Sequence, residues 1–155
     1  MLNSNLLDGK VAIVTGCSRG IGRAIMETFA KNGATVYAVD LMEGSMDDAA
    51  SDSIIPCYFD ITDTKSIIAL VQRVKKEQGK IDILVNNAGI MQDALISMVT
   101  DAQIQKTFEV NVFAMMHFIQ YVSKIMRRQK SGSIVNAASI MGISGNYAQM
   151  VYACL

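Results

Sequence analysis

The stretch Thr15-Gly16-Cys17-Ser18-Arg19-Gly20-Ile21-Gly22 carries the clearest chemical signal in the sequence. Its glycines let the chain take positive φ and bring backbone N–H groups close to a ligand. Where such a loop opens a helix, the helix dipole favours an anion. That is a pyrophosphate-binding arrangement, although its Gly-x-x-x-Gly-x-Gly spacing departs from the commoner Gly-x-Gly-x-x-Gly. Alone, the loop is equally a tight strand-to-helix turn. Asp40, at the end of the next apolar run, adds the second half of a dinucleotide site, because a carboxylate there accepts hydrogen bonds from ribose hydroxyls and repels a 2′-phosphate. NAD is favoured over NADP on that ground. Arg19 works the other way, since a guanidinium can hold a 2′-phosphate, but Leu41 and Met42 beside Asp40 supply no second cation. No metal site is expected: Cys17, Cys57 and Cys154 lack ligand spacing and read as reduced, structural thiols, and the lone His117 reads as a surface or interface residue.

The elements that must position these groups alternate short β-branched runs with longer helical periods, which predicts an α/β fold with parallel strands. Strands are expected at Lys10 to Thr15, Thr35 to Asp40, Ile54 to Phe59, Ile81 to Asn86 and Ser133 to Ala137. The unalternated Val-Ala-Ile-Val of the first suits a strand buried on both faces. Ile21, Ala24, Ile25 and Phe29 mark a first helix ended near Gly33. Ile67, Leu70, Val71 and Val74 mark a second, from Asp63 to Gln78, stopped at Gly79. The third and longest opens on a Thr100 capping box and continues through Ile104, Phe108, Met115, Ile119, Val122 and Met126 to about Arg128. Residues 41–53 offer at most a short helix. Right-handed crossovers then give a doubly wound open sheet of order 3-2-1-4-5, which binds ligands at the carboxyl ends of its strands.

Composition narrows the function. The 155 residues are 51% hydrophobic and 18% charged, with 14 basic against 14 acidic side chains. That excludes disorder and leaves no field to gather nucleic acid or anionic lipid. No apolar run approaches a membrane span, and Met1 to Asp8 lacks a targeting signal, so no membrane partner is expected and the expected compartment is the cytoplasm.

Taken together, these residues resemble the short-chain dehydrogenase/reductase family. The match rests on Thr15 to Gly22, Asp60 after the third strand, Asn86-Asn87-Ala88-Gly89 after the fourth, Asn111 in the long helix, Ser139 after the fifth strand, and Tyr152. Residues 87–95, with Gly145, Asn146 and Gln149 before Tyr152, look most like the 3-oxoacyl-acyl carrier protein reductase branch. The resemblance implies a Rossmann-type domain over 1–155 and NAD(P)-dependent hydride transfer between nicotinamide and a carbonyl or secondary alcohol. A 3-oxoacyl thioester is the expected substrate. Sugar, steroid or small-alcohol dehydrogenases are the alternative within the family, and a non-catalytic dinucleotide-binding or dimerisation module is the alternative outside it.

Residue by residue, the resemblance implies that Gly16, Ser18, Arg19, Gly20, Ile21, Gly22 and Asp40 bind the cofactor. Asp60 bonds the adenine amino group, Ile61 offers its backbone N–H, and Asn87, Ala88 and Gly89 line the adenosine side. Asp60 also reads as an acid near a helix N-terminus beside Thr62. Reduction of a carbonyl builds charge on its oxygen and needs a proton donor and a fixed hydrogen-bond donor. Tyr152 takes the first role and Ser139 the second, with Asn111 holding a proton-relay water; Tyr147 is a weaker competitor for Tyr152. The family's tyrosine is followed by x-x-x-Lys, whereas this sequence stops at Leu155, one residue short. The expectation is a chain truncated at its C-terminus, lacking the last strands and turning over little as it stands, with its fifth strand an open edge. At full length a homo-oligomer is expected. Arg127, Arg128 and Lys130 read as a solvated helix end or as a dock for an acidic acyl carrier protein.

Overall fold

The Val-Ala-Ile-Val run forms the middle of the sheet. In the computed structural model, which describes residues 5–154, β1 (Val11–Thr15) is buried along its whole length. It pairs in parallel with β2 (Thr35–Asp40) on one side and β4 (Ile83–Asn86) on the other. β3 (Ile54–Tyr58) lies outside β2 and β5 (Ser133–Asn136) outside β4, so the order is β3-β2-β1-β4-β5, as expected. The stretch Met1 to Asp8 begins outside the described residues, and Leu155 also lies outside them.

Side chains on a strand point alternately to the two faces, and this divides the core. Val11 and Ile13 join Tyr37, Leu84, Ile67 and Val74 of α2 (Thr64–Gln78), and Phe118 and Val122 of α4 (Ala114–Gln129). Ala12 and Val14 join Val36, Val85 and Met26 of α1 (Gly20–Lys31) in the other layer. With every pair parallel, the carboxyl ends of all the strands open on one edge. Among the described residues β5 pairs with β4 only, and Val135 is exposed.

Helix ends follow local chemistry. Asp63 caps α2 by accepting from Lys65 N at 3.0 Å, and Gly79 ends it in the left-handed region. Thr100 and Gln103 form the capping box that opens α3 (Asp101–Phe108). Three expectations are corrected. Ile25 and Phe29 of the expected α1 stripe pack against the core, but its fully buried positions are Gly22 and Met26, and Ile21 is 73% exposed and Ala24 exposed. The start of the stripe misled because the first-turn residue that packs closely, against Gly16 O and Asn87, is a glycine. The long helix is not one α-period: a π-helical turn, Glu109–Phe113, joins α3 to α4. Its buried positions are Thr107, Val110, Ala114, Phe118, Val122 and Met126, so Ile104 and Met115 of the expected stripe lie off the buried line, while Ile119 packs against the core at its margin. Third, Cys17 and Cys57 are buried but Cys154 is exposed.

Residues 41–53 hold a single 3₁₀ turn, Asp47–Ala49, fixed from outside. Arg23 pairs with Asp48 and donates to Ser45 O, while the Tyr58 hydroxyl donates to Asp47 at 2.7 Å.

Candidate functional site

Thr15, the last residue of β1 and 2% exposed, ties the two central loops together. Its Oγ1 accepts from Asn87 N and Ala88 N, both at 3.0 Å. Asn87 Nδ2 donates to Thr15 O and Gly16 O at 3.1 and 3.3 Å. The glycine loop and the turn after β4 therefore pack backbone on backbone. A Cβ at Gly16, whose φ is +76°, would lie 2.9 Å from Ala88 Cα, and one at Gly22 would lie 2.0 Å from Gly16 O. Gly20 is the opposite case: at φ +60° it has nothing within 4 Å of a built Cβ. Its α-carbon faces open space at the first turn of α1, whose Arg19 N-cap makes no side-chain cap hydrogen bond. First-turn N–H groups without a cap, beside free volume, suit an anion.

That space is a cleft of about 460 Å³ along the carboxyl edge. It is lined by Gly16, Ser18, Arg19, Gly20, Asp40, Asp60, Ile61, Asn87, Ala88 and Gly89, ten of the expected cofactor residues from four separate segments. Ile21 and Gly22 are not in the lining: Ile21 projects to solvent, and Gly22 acts from beneath by letting α1 approach Gly16. Asp40 Oδ2 accepts from Ser18 N at 2.8 Å and Oδ1 from Met42 N at 3.1 Å, so the carboxylate both shapes the loop and faces the cleft. Cys17 points into the core instead, and burial pushes its thiol up to about 12.

At the other end, Asp60 Oδ1 accepts from Thr62 N and Thr62 Oγ1 at 2.9 and 2.8 Å, while Lys106 Nζ lies 3.5 Å from Oδ2. The Thr62 N–H, helped by its hydroxyl and by Lys106, holds the Asp60 carboxyl below the usual carboxylate range against its partial burial. Phe59, Ile90 and Val110 add apolar wall, and Leu41 and Met42 close the Asp40 end. The sequence reading missed these six residues, Lys106 included. Lys106 and Val110 stand one turn apart on one helix face, and the rest flank residues already singled out, which is the signal that would have found them.

Ser139, Tyr152 and Asn111 lie outside this lining. Ser139 follows β5, and its Oγ accepts from Met141 N at 3.2 Å, at the start of α5 (Met141–Ser144). Tyr152 sits in α6 (Met150–Ala153), half-buried, and α6 packs against α5 and α3. The turn after β4 reaches the same place: Ala94 N donates to Ala148 O at 2.8 Å, and the buried Gln149 donates to Met91 Sδ at 3.0 Å. Tyr147 is 82% exposed. Asn111, in the π turn, grips Ile90 with both ends of its amide: Oδ1 accepts from Ile90 N and Nδ2 donates to Ile90 O, each at 2.8 Å. It thus fixes a wall residue of the cleft. Asn111→Leu removes both bonds and leaves an unpaired backbone N–H and C=O on Ile90, at a cost of about 2 kcal/mol. For a chain of this size, thermal denaturation should show Tm lower by roughly 4–8 °C.

A group of three or more His, Cys, Asp or Glu placed to hold a metal ion is not found among the described residues. No described helix is long and apolar enough to cross a membrane.

Residues 10–154 match the family model described as short chain dehydrogenase. Among curated relatives, the 3-oxoacyl-acyl-carrier-protein reductase FabG of Thermotoga maritima is 37% identical over 153 residues, covering 95% of this chain and 62% of its own length. The enzyme of the same name from Escherichia coli is 37% identical over 150 residues, covering 94% of this chain and 61% of its own length. The chain thus spans about three fifths of the length of these relatives. The crystal structure of a short-chain dehydrogenase from Streptomyces avermitilis superposes with a TM-score of 0.89 at 32% identity, covering 94% of this chain and 55% of that one.

Proposed function

The chain belongs to the short-chain dehydrogenase family, and from that premise we propose that residues 1–155 form the dinucleotide-binding domain of an NAD(P)-dependent oxidoreductase that reduces a 3-oxoacyl thioester or oxidises the matching alcohol. The observation that carries this reading is the cleft: uncapped N–H groups of α1 beside the open face of Gly20, with Asp40 at one end and Asp60 at the other. Its volume lies within the range of about 300–1,000 Å³ usual for small-molecule and cofactor sites. A nicotinamide dinucleotide bound there supplies the hydride.

The chain's own residues do the rest. Gly16 and Ser18 shape the loop, their N–H groups bonded to Val39 O and Asp40 Oδ2, so that the backbone N–H groups of Arg19 and Gly20 receive the pyrophosphate, with Ile21 and Gly22 holding the first turn of α1 in place. Asp40 accepts from the adenosine ribose, Asp60 and Ile61 engage the adenine edge, and Asn87, Ala88 and Gly89 line the adenosine side. Tyr152 delivers a proton to the carbonyl oxygen and Ser139 donates a hydrogen bond to it, so that charge building on that oxygen is met at once. Asn111 keeps one N–H and one lone pair beyond its bonds to Ile90, enough to hold the relay water that the resemblance implies. The 3-oxoacyl substrate rests on the relatives' names. An acidic carrier protein would meet Arg127 and Arg128 in the last turn of α4, with Lys130 just beyond.

Calorimetric titration tests the reading. NADH at about a hundred times its Kd should stabilise the folded chain by about 2.7 kcal/mol, raising Tm by roughly 5–10 °C. Absence of both heat and a Tm shift overturns the assignment of the cleft. The charge of Asp40 favours NADH over NADPH, and Asp40→Asn should shift that ratio about tenfold toward NADPH, ~1.4 kcal/mol. An unchanged ratio removes Asp40 from cofactor choice.

A further inference from the structure

Lys106 and Asp60 face each other across one end of the cleft, on segments far apart in the sequence. Asp60 follows β3 and Lys106 sits on α3, and both line the cleft together with Ile61, Phe59 and Val110. The two carboxylate oxygens are used differently. Oδ1 is saturated by Thr62, which donates to it from both N and Oγ1. Among the described residues Oδ2 meets only Lys106, at 3.5 Å, a separation beyond a well-formed N–H···O bond, so it keeps capacity to accept. Lys106 is half-exposed and makes no other ion pair among the described residues, so its flexible stem lets the ammonium swing between the carboxylate and the cleft. The remaining charged lining groups, Arg19 and Asp40, belong to the glycine-loop end.

We propose that Lys106 sets the purine preference of this end: Asp60 Oδ2 accepts from an exocyclic amino group at purine position 6, while Lys106 supplies the donor that makes a 6-carbonyl tolerable. A carboxylate alone accepts and never donates. Against a 6-carbonyl it would place two acceptors together, and only a neighbouring cation relieves that. Lys106 also competes with the amino group for Oδ2, so its removal costs adenine little. The role is one of specificity, and it rests on the reading of the cleft as a dinucleotide site with its purine at Asp60.

The chain is titrated with NADH and with its hypoxanthine analogue, following nicotinamide fluorescence, for the unaltered chain, Lys106→Met and Lys106→Arg. Lys106→Met should raise the preference for adenine over hypoxanthine about fivefold, the scale of one exposed charge contact, mainly by weakening the hypoxanthine analogue. Lys106→Arg should hold the original ratio. A general loosening of α3 would weaken both dinucleotides by one factor, and that outcome overturns the proposal while leaving the cleft assignment intact. Failure of the unaltered chain to bind either dinucleotide overturns the cleft assignment, and this proposal with it.

Discussion

Tyr152→Phe, made in a chain extended to the length of its relatives, should slow carbonyl reduction by about 10²–10⁴-fold, the usual contribution of one positioned proton donor, and leave NADH affinity unchanged. The substitution removes one oxygen and keeps the ring, so the half-buried packing of α6 on α5 and α3 survives. The separation of effects follows from placement. Tyr152 lies outside the lining of the cleft, on a helix whose start is pinned to the turn after β4 through Ala94, Met91 and Gln149. Steady-state rates read from nicotinamide absorbance, paired with an NADH titration, check both halves. Wild-type turnover in the Phe variant would mean that another group gives the proton.

Gly22→Ala should have the largest effect on folding. Its Cβ would sit 2.0 Å from Gly16 O and 2.6 Å from Asn87 Nδ2, and the first of these is backbone held by the Thr15 network. Neither the strand nor the turn after β4 can step aside without losing bonds, so α1 must back away from the sheet. Such overpacking costs about 3 kcal/mol, and Tm should fall by roughly 6–12 °C. Gly20→Ala separates space from conformation. Nothing lies near its Cβ, so it should cost only the ~1 kcal/mol of a left-handed alanine, yet place a methyl in the cleft and weaken NADH binding. If the two variants melt alike, close approach at Gly22 is not what holds α1.

What the sequence disclosed and what it hid divide by the range of the interactions. The sheet order was legible because each strand is an unalternated or nearly unalternated apolar run, and because both ends of α2 and the start of α3 carry their own caps, Asp63, Gly79, and Thr100 with Gln103. Ten of the twelve expected cofactor residues line the cleft because strand ends and a glycine loop are local features. The π turn was not legible, since its partner is the backbone of Ile90, on another segment. Lys106 escaped notice for the same reason, its carboxylate lying after β3. Ile21 was misplaced because periodicity gives the width of a buried stripe but not its centre, and Gly22 at that centre has no side chain to count. The 41–53 segment is held by Arg23 and Tyr58 and has little pattern of its own.

The Asn111 grip on Ile90 has a counterpart at the far end of the same helix: Gln129 Nε2 donates to Ile81 O at 2.9 Å and its Oε1 accepts from Ile81 N at 3.0 Å. Between these two fasteners the helix advances about 27 Å at ~1.5 Å per residue, and the chain from Ile81 to Ile90 reaches at most about 30 Å at ~3.3 Å per residue. The helix and β4 therefore act as two rulers nailed together at both ends. One residue added to or deleted from α4 turns Gln129 by about 100° around the helix relative to Asn111, so it must pull out a nail, and because one nail is Ile90, a length change distant from the cleft would be felt in its wall.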